Sequence, residues 1–131
     1  MTKPHQNVLT IFHCYNALKN CNFLGENNRT IKSVKLPCSS MIREVFLLRA
    51  FEAGSDAVIV LGCPEGTCHY IQGNLRSKKR VERVKKMLDE IGIGAKRLNF
   101  YNIEHGDEAA VRRIVDSTVS ELATLGPNPA A

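Results

Sequence analysis

Ala57-Val58-Ile59-Val60-Leu61-Gly62-Cys63-Pro64-Glu65-Gly66-Thr67-Cys68 is the stretch of this 131-residue sequence on which the fold turns. Its first five residues are apolar without alternation, the pattern of a parallel strand covered on both faces. The glycine, proline and small polar residues that follow read as a loop leaving the carboxyl end of that strand. Outward from it, residues 8–13, 31–36 and 97–101 form three more β-rich runs. Helical patterns fill the intervals. Ser39 or Ser40 is placed to cap a helix over 41–52, which Gly54 stops. Asn74 is placed to cap a second, whose stripe Val81, Val84, Leu88 and Ile91 ends at Gly92. A third carries Val111, Ile114, Val115, Val119 and Leu122 and ends at Leu125-Gly126-Pro127. Residues 16–29 are the least regular part and read as a short helix or a loop.

Strands alternating with helices predict an α/β fold: one small three-layer domain around a four-stranded, mainly parallel sheet of flavodoxin-like type, in the order 2-1-3-4. The length suits one domain over 1–131, with residues 126–131 expected as a flexible tail. The composition, 44% hydrophobic and 24% charged, is that of a globular chain. Aromatics make up 6% with no Trp, which argues against a base-stacking nucleic-acid platform. No apolar run reaches the roughly 18 to 20 residues of a membrane span. The first residues lack a signal-peptide pattern, so a soluble, cytoplasmic location is expected.

Five cysteines stand at 14, 21, 38, 63 and 68. In a reducing compartment such thiols read as metal ligands or redox groups rather than structural bridges. Cys14 follows the first strand, Cys38 the second, Cys63 the third, and Cys68 closes the same loop. Carboxyl ends of parallel strands share one edge, where ligands bind in open α/β sheets, so four thiols distant in sequence are expected to converge. The bland alternative is that small cysteines fill loop packing. Converging thiolates suit Zn, Cu(I) or iron–sulfur centres alike. Structural zinc sites usually pair their ligands in C-x₂₋₄-C knuckles, and here only Cys63 and Cys68 form such a pair; plant-type [2Fe–2S] proteins likewise combine a C-x₄-C element with more remote cysteines. Backbone amides of Gly66 and Thr67 are candidates for hydrogen bonds to cluster sulfurs, and His69 is a candidate neighbour or ligand. Cys21 reads as a spare thiol.

Several chemistries are absent. Phosphatase-type catalysis needs Cys-x₅-Arg, and the residues at that offset are Asn20, Glu44, His69 and Asn74. There is no Cys-x-x-Cys, Walker loop or dinucleotide fingerprint, and no paired carboxylates or Ser–His set. No catalytic site of its own is expected. Residues 76–86 carry seven cations and one carboxylate, while the rest of the chain carries 11 and 12, so the overall +5 belongs to this one segment. It reads either as the solvated face of a helix or as a docking surface for an acidic redox partner.

Three segments resemble the methyl-viologen-reducing hydrogenase delta subunit family: Leu36-Pro37-Cys38-Ser39-Ser40, the run from Leu48 through Glu52-Ala53-Gly54-Ser55-Asp56 to Val58, and Gly62-Cys63-Pro64-Glu65-Gly66-Thr67-Cys68-His69-Tyr70-Ile71-Gln72-Gly73-Asn74. Leu98, Glu104 and Leu125-Gly126-Pro127 also fit. The resemblance implies a [2Fe–2S] electron-transfer subunit with Cys14, Cys38, Cys63 and Cys68 as metal ligands. It implies a relay between a hydrogenase, formate dehydrogenase or similar donor and a heterodisulfide-reductase-like flavin and iron–sulfur subunit, in anaerobic metabolism. Related assemblies such as class II benzoyl-CoA reductases, or a zinc-holding assembly adaptor, are the alternatives. The chain departs from the family where many members have Cys-x-x-Cys, for here Cys14-Tyr15-Asn16-Ala17 lacks the second cysteine.

Overall fold

The structure, a computed structural model, describes residues 7–14, 29–36, 43–62, 73–104 and 106–129, and at 14, 29 and 73–77 the backbone alone. In chain order these form β1 (Asn7–Cys14), β2 (Arg29–Leu36), α1 (Glu44–Glu52), β3 (Ala57–Gly62), α2 (Gly73–Glu90), a 3₁₀ turn at Ala95–Arg97, β4 (Leu98–Asn102) and α3 (Glu108–Leu125). The strands lie in the order β2-β1-β3-β4. Every pairing is parallel, with Cys14 opposite Leu36, His13 opposite Leu61 and Gly62 opposite Asn102. The α/β class and the strand order are those expected from the sequence.

Alternation along the central strands divides the core in two. Leu9 and Ile11 of β1 and Ala57, Ile59 and Leu61 of β3 face Val111, Val115 and Leu122 of α3. Phe12, Val58, Val60 and Leu98 face Leu47 and Phe51 of α1 and Val81, Val84 and Leu88 of α2. Three layers result, with α1 and α2 on one face and α3 on the other. The unbroken apolar run of β3 is required because both faces are covered, and each such side chain contributes about 1.5 to 3 kcal/mol on burial.

The helix boundaries differ from expectation in three places. α2 already includes Gly73, so Asn74 lies within its first turn rather than at its cap. The helix ends at Glu90, and Ile91, expected to complete the apolar stripe, is 63% exposed. At α3 the Asp107 side chain accepts from the Ala110 amide at 3.1 Å, capping that helix. Its other end is closed by Gly126, whose φ of 78° suits glycine and whose amide donates to the Leu122 carbonyl at 2.8 Å. α1 begins at Glu44 rather than at 41, with the extended Arg43 as its N-cap and no side-chain cap bond, so Ser39 and Ser40, themselves outside the described residues, stand too far upstream to cap it.

The amino edge of the sheet is locked by buried polar groups. Asp56, immediately before β3, is fully buried and accepts from the Val8 amide through Oδ2 and from the Asn128 amide through Oδ1, each at 2.9 Å. Arg97, 3% exposed, donates to the carbonyls of Asp56, Ile93, Leu125, Gly126 and Pro127 at 2.8 to 3.2 Å. Burial pushes its pKa below the usual guanidinium value, and the nearby Asp56 charge opposes that shift. The Asn128 amide group donates to the carbonyls of Phe51 and Ser55. Residues 126–128, expected from their composition to fray, are therefore anchored through their own backbone and the Asn128 side chain.

Candidate functional site

Three adjacent strands, β2, β1 and β3, finish at the opposite, carboxyl edge, at Leu36, Cys14 and Gly62. Cys14 is the last residue of β1, while in sequence Cys38 stands two residues beyond β2 and Cys63 one beyond β3. The order β2-β1-β3 thus brings together the three strand ends from which the cysteine-bearing segments leave. Cys21, Cys38, Cys63, Cys68, Gly66, Thr67 and His69 lie outside the described residues, as does the Cys14 side chain.

His13 is 2% exposed, and alternation assigns it to the register of Leu9 and Ile11, opposite to that of its neighbour in sequence. At the β4 end of the same edge, Tyr101, Asn102, Ile103, Arg113 and Ser117 help to line a cavity of about 290 Å³ between β4 and α3. Burial, and then the Glu121 charge, push the Tyr101 phenol above its usual pKa.

A larger and more apolar concavity lies between β2 and α1. It measures about 450 Å³ and includes Phe12, Leu36, Phe46 and Ala50 in its lining. Its Leu36 end is level with Cys14 in the strand register. No sequence signal marked this groove, because Val34 and Phe46 read as ordinary core positions, yet each is 38% exposed.

The basic segment forms the outward side of α2, where Lys78, Lys79, Arg83 and Lys86 are exposed. Arg83 pairs with Glu44 of α1 at 3.3 Å. Glu44 is held below the usual carboxylate range mainly by a backbone hydrogen bond at the helix start, helped by Arg83. Among the described residues, no helix is long and apolar enough to cross a membrane.

The methyl-viologen-reducing hydrogenase delta subunit family matches residues 10–126. The vhu iron-sulfur subunit of the F420-non-reducing hydrogenase of Methanocaldococcus jannaschii is 34% identical over 127 residues, 93% of this chain and 95% of that one. Its namesake from Methanococcus maripaludis is 31% identical over the same shares. One subunit of the ferredoxin/F(420)H(2)-dependent CoB-CoM heterodisulfide reductase of Methanosarcina acetivorans is 35% identical over 97 residues, which are 74% of this chain and 12% of that protein.

The [2Fe–2S] cofactor implied by the sequence resemblance is corrected by these findings. The relatives' names carry "iron-sulfur" without a cluster type, and the family description names no cluster. Among the described residues there is also no group of three or more His, Cys, Asp or Glu side chains able to hold a metal ion. C-x₄-C followed by remote cysteines is shared by several thiolate centres, so the spacing did not single out one. The match over residues 10–126, with similarity to hydrogenase iron-sulfur subunits along almost their whole length, shows that the chain belongs to the methyl-viologen-reducing hydrogenase delta subunit family.

Proposed function

We propose that the chain is an electron-transfer subunit of a hydrogenase- and heterodisulfide-reductase-type assembly, and that Cys14, Cys38, Cys63 and Cys68 are the ligands of its redox centre. The observation that supports this reading is the parallel order β2-β1-β3, in which the three strands that end at or just before Cys14, Cys38 and Cys63 in sequence finish on one edge of the sheet. Thiolates are the donor set that iron–sulfur centres take, and the relatives that match end to end carry that term in their names. A centre there would accept one electron from a donor subunit and release one to an acceptor. Under this reading Gly66 and Thr67 supply amide donors and His69 a ring donor to the ligand sulfurs, tuning the potential. Cys21 is not needed.

The partners follow from the same source. This sequence matches a 12% portion of that heterodisulfide reductase chain, so the same unit occurs within a protein of that kind. A heterodisulfide-reductase-like subunit is the proposed acceptor, a hydrogenase-type subunit the donor, and the assembly is placed in the cytoplasm.

The test is anaerobic purification with iron and acid-labile sulfide measured per chain, and EPR spectra recorded after dithionite reduction. Iron, sulfide and a reducible signal, all lost in Cys63→Ser and retained in Cys21→Ser, are expected. Zinc without sulfide would refute the electron-transfer reading. Loss of iron in Cys21→Ser but not in Cys63→Ser would refute the ligand set.

A further inference from the structure

The two faces of the sheet are covered to different degrees. On the α3 side, Val111, Val115 and Leu122 close over Leu9, Ile11, Ile59 and Leu61. On the other side α1 leaves part of β1 and β2 uncovered, and the groove of about 450 Å³ opens there. Phe12, Val34, Leu36, Phe46 and Ala50 make its surface apolar, and Val34 and Phe46 each keep 38% of their area in water. Among the described residues, the charged ones in its lining are Lys32 on β2 and Arg49 on α1, one on each bank, with no carboxylate beside them. Arg43 is exposed at the start of α1, one turn from Phe46.

Standing water on apolar walls is unfavourable by about 25 cal/mol for each Å² left exposed, so such a patch marks a site that something covers. The rim decides what. A second copy seated on the same face would bring its own Lys32 and Arg49 against these two cations. A membrane surface is met by apolar side chains that crown a helix, whereas these line a concavity between a helix and a strand. A protein segment with apolar side chains flanked by carboxylates fits both the hollow and its banks.

We infer that the groove between β2 and α1 is the docking site for an acidic, apolar-bearing segment of another subunit of the assembly. This rests on the assembly reading above and adds to it the face that is used. The Leu36 end of the groove is level in the strand register with Cys14. A segment seated there therefore lies beside the edge where the cysteine-bearing strands finish, which makes this the face by which one redox partner approaches.

The experiment uses the native assembly, purified anaerobically through a tag on this chain. Val34→Glu and Phe46→Glu each place a carboxylate in the groove at an exposed position. Both should retain at least tenfold less of one partner subunit, with the melting temperature of the isolated chain unchanged. Met87→Glu, at a 40% exposed position on α2, should retain the wild-type amount. In the wild-type assembly a zero-length carbodiimide should link Lys32 to an Asp or Glu of that same partner, a readout independent of whether the variants fold. Full retention of partners by both folded variants overturns the groove, as does a Lys32 link only to a second copy of this chain. Binding of the wild-type chain to phosphatidylglycerol vesicles that Val34→Glu abolishes would assign the groove to a membrane instead. A wild-type chain that co-purifies with no other subunit removes the assembly reading, and the groove with it.

Discussion

At the amino edge of the sheet, Asp56, Arg97 and Asn128 satisfy one another and the surrounding backbone, and all three are buried. At the carboxyl edge the same strands end in Cys14, Leu36, Gly62 and Asn102, and the chain runs on into its thiols and glycines. One edge spends its polar groups on internal hydrogen bonds. At the other, the strands finish and the sequence continues into cysteine-bearing segments that the proposed function assigns to a redox centre. Under the proposed function the difference separates stability from chemistry along a single axis, because ligand-binding loops can vary only if the opposite edge fixes strand order and register.

Exchanging perturbations between the edges tests that separation. Asp56→Ala leaves the buried Arg97 without its neighbouring anion and the amides of Val8 and Asn128 without acceptors. A loss of about 3 to 5 kcal/mol is expected from urea unfolding, with iron per folded chain unchanged. Cys63→Ser should do the opposite, removing iron from a chain whose apo form still unfolds cooperatively. If Asp56→Ala lost metal while remaining folded, the two edges would be coupled.

Asn128→Ala is the next largest. It removes the Asn128 donor from the carbonyls of Ser55 and Phe51, the latter keeping its bond from the Gly54 amide, and should cost about 2 kcal/mol, seen as a lower urea midpoint at constant m-value.

Tyr101 gives a smaller effect that depends on pH. Its phenol pKa is raised by burial and by Glu121, so the folded state favours the neutral form. That contribution is fully present below the unfolded value near 10 and is lost as pH rises through the folded pKa. Tyr101→Phe should flatten the decline in urea midpoint above pH 10, whereas a wild-type slope would show that the phenol is not its source. Least affected should be Arg83→Ala, which breaks an exposed ion pair with Glu44. It should shift stability by under about 0.5 kcal/mol and by still less in high salt.

The fold was largely legible in the sequence because its signals are local. The run Ala57 to Leu61 demands cover on both faces, and glycines stand after each helix. Local signals misled where an end was decided by packing. Ile91 continued the α2 stripe on paper, but the helix stops one residue earlier. The Asp56 network was invisible, since Asp56 sits in a Gly-Ser-Asp turn signal, Arg97 looks like a surface cation, and Asn128 lies in a Gly-Pro-Asn-Pro stretch. Each reads as solvent-exposed alone, and only tertiary contact makes them one buried unit. The strand ends nearest the cysteines were likewise readable, although Cys14, expected just after β1, is its last residue. A cluster type was not legible, because cysteine spacing constrains the backbone path and is shared by several kinds of thiolate site.

The bonds at Asp56 also have a topological consequence. One oxygen of its carboxylate holds Val8 and the other holds Asn128, so the described chain is drawn into a ring whose two ends meet at a single side chain. Closing that ring covalently with a few glycines between positions 129 and 7 would cross almost no distance. New termini could then be cut at Gly106, which is exposed and has open space around it. Such a circular permutant keeps every strand neighbour while moving α3 from last to first, so the order of synthesis can be varied without altering the sheet.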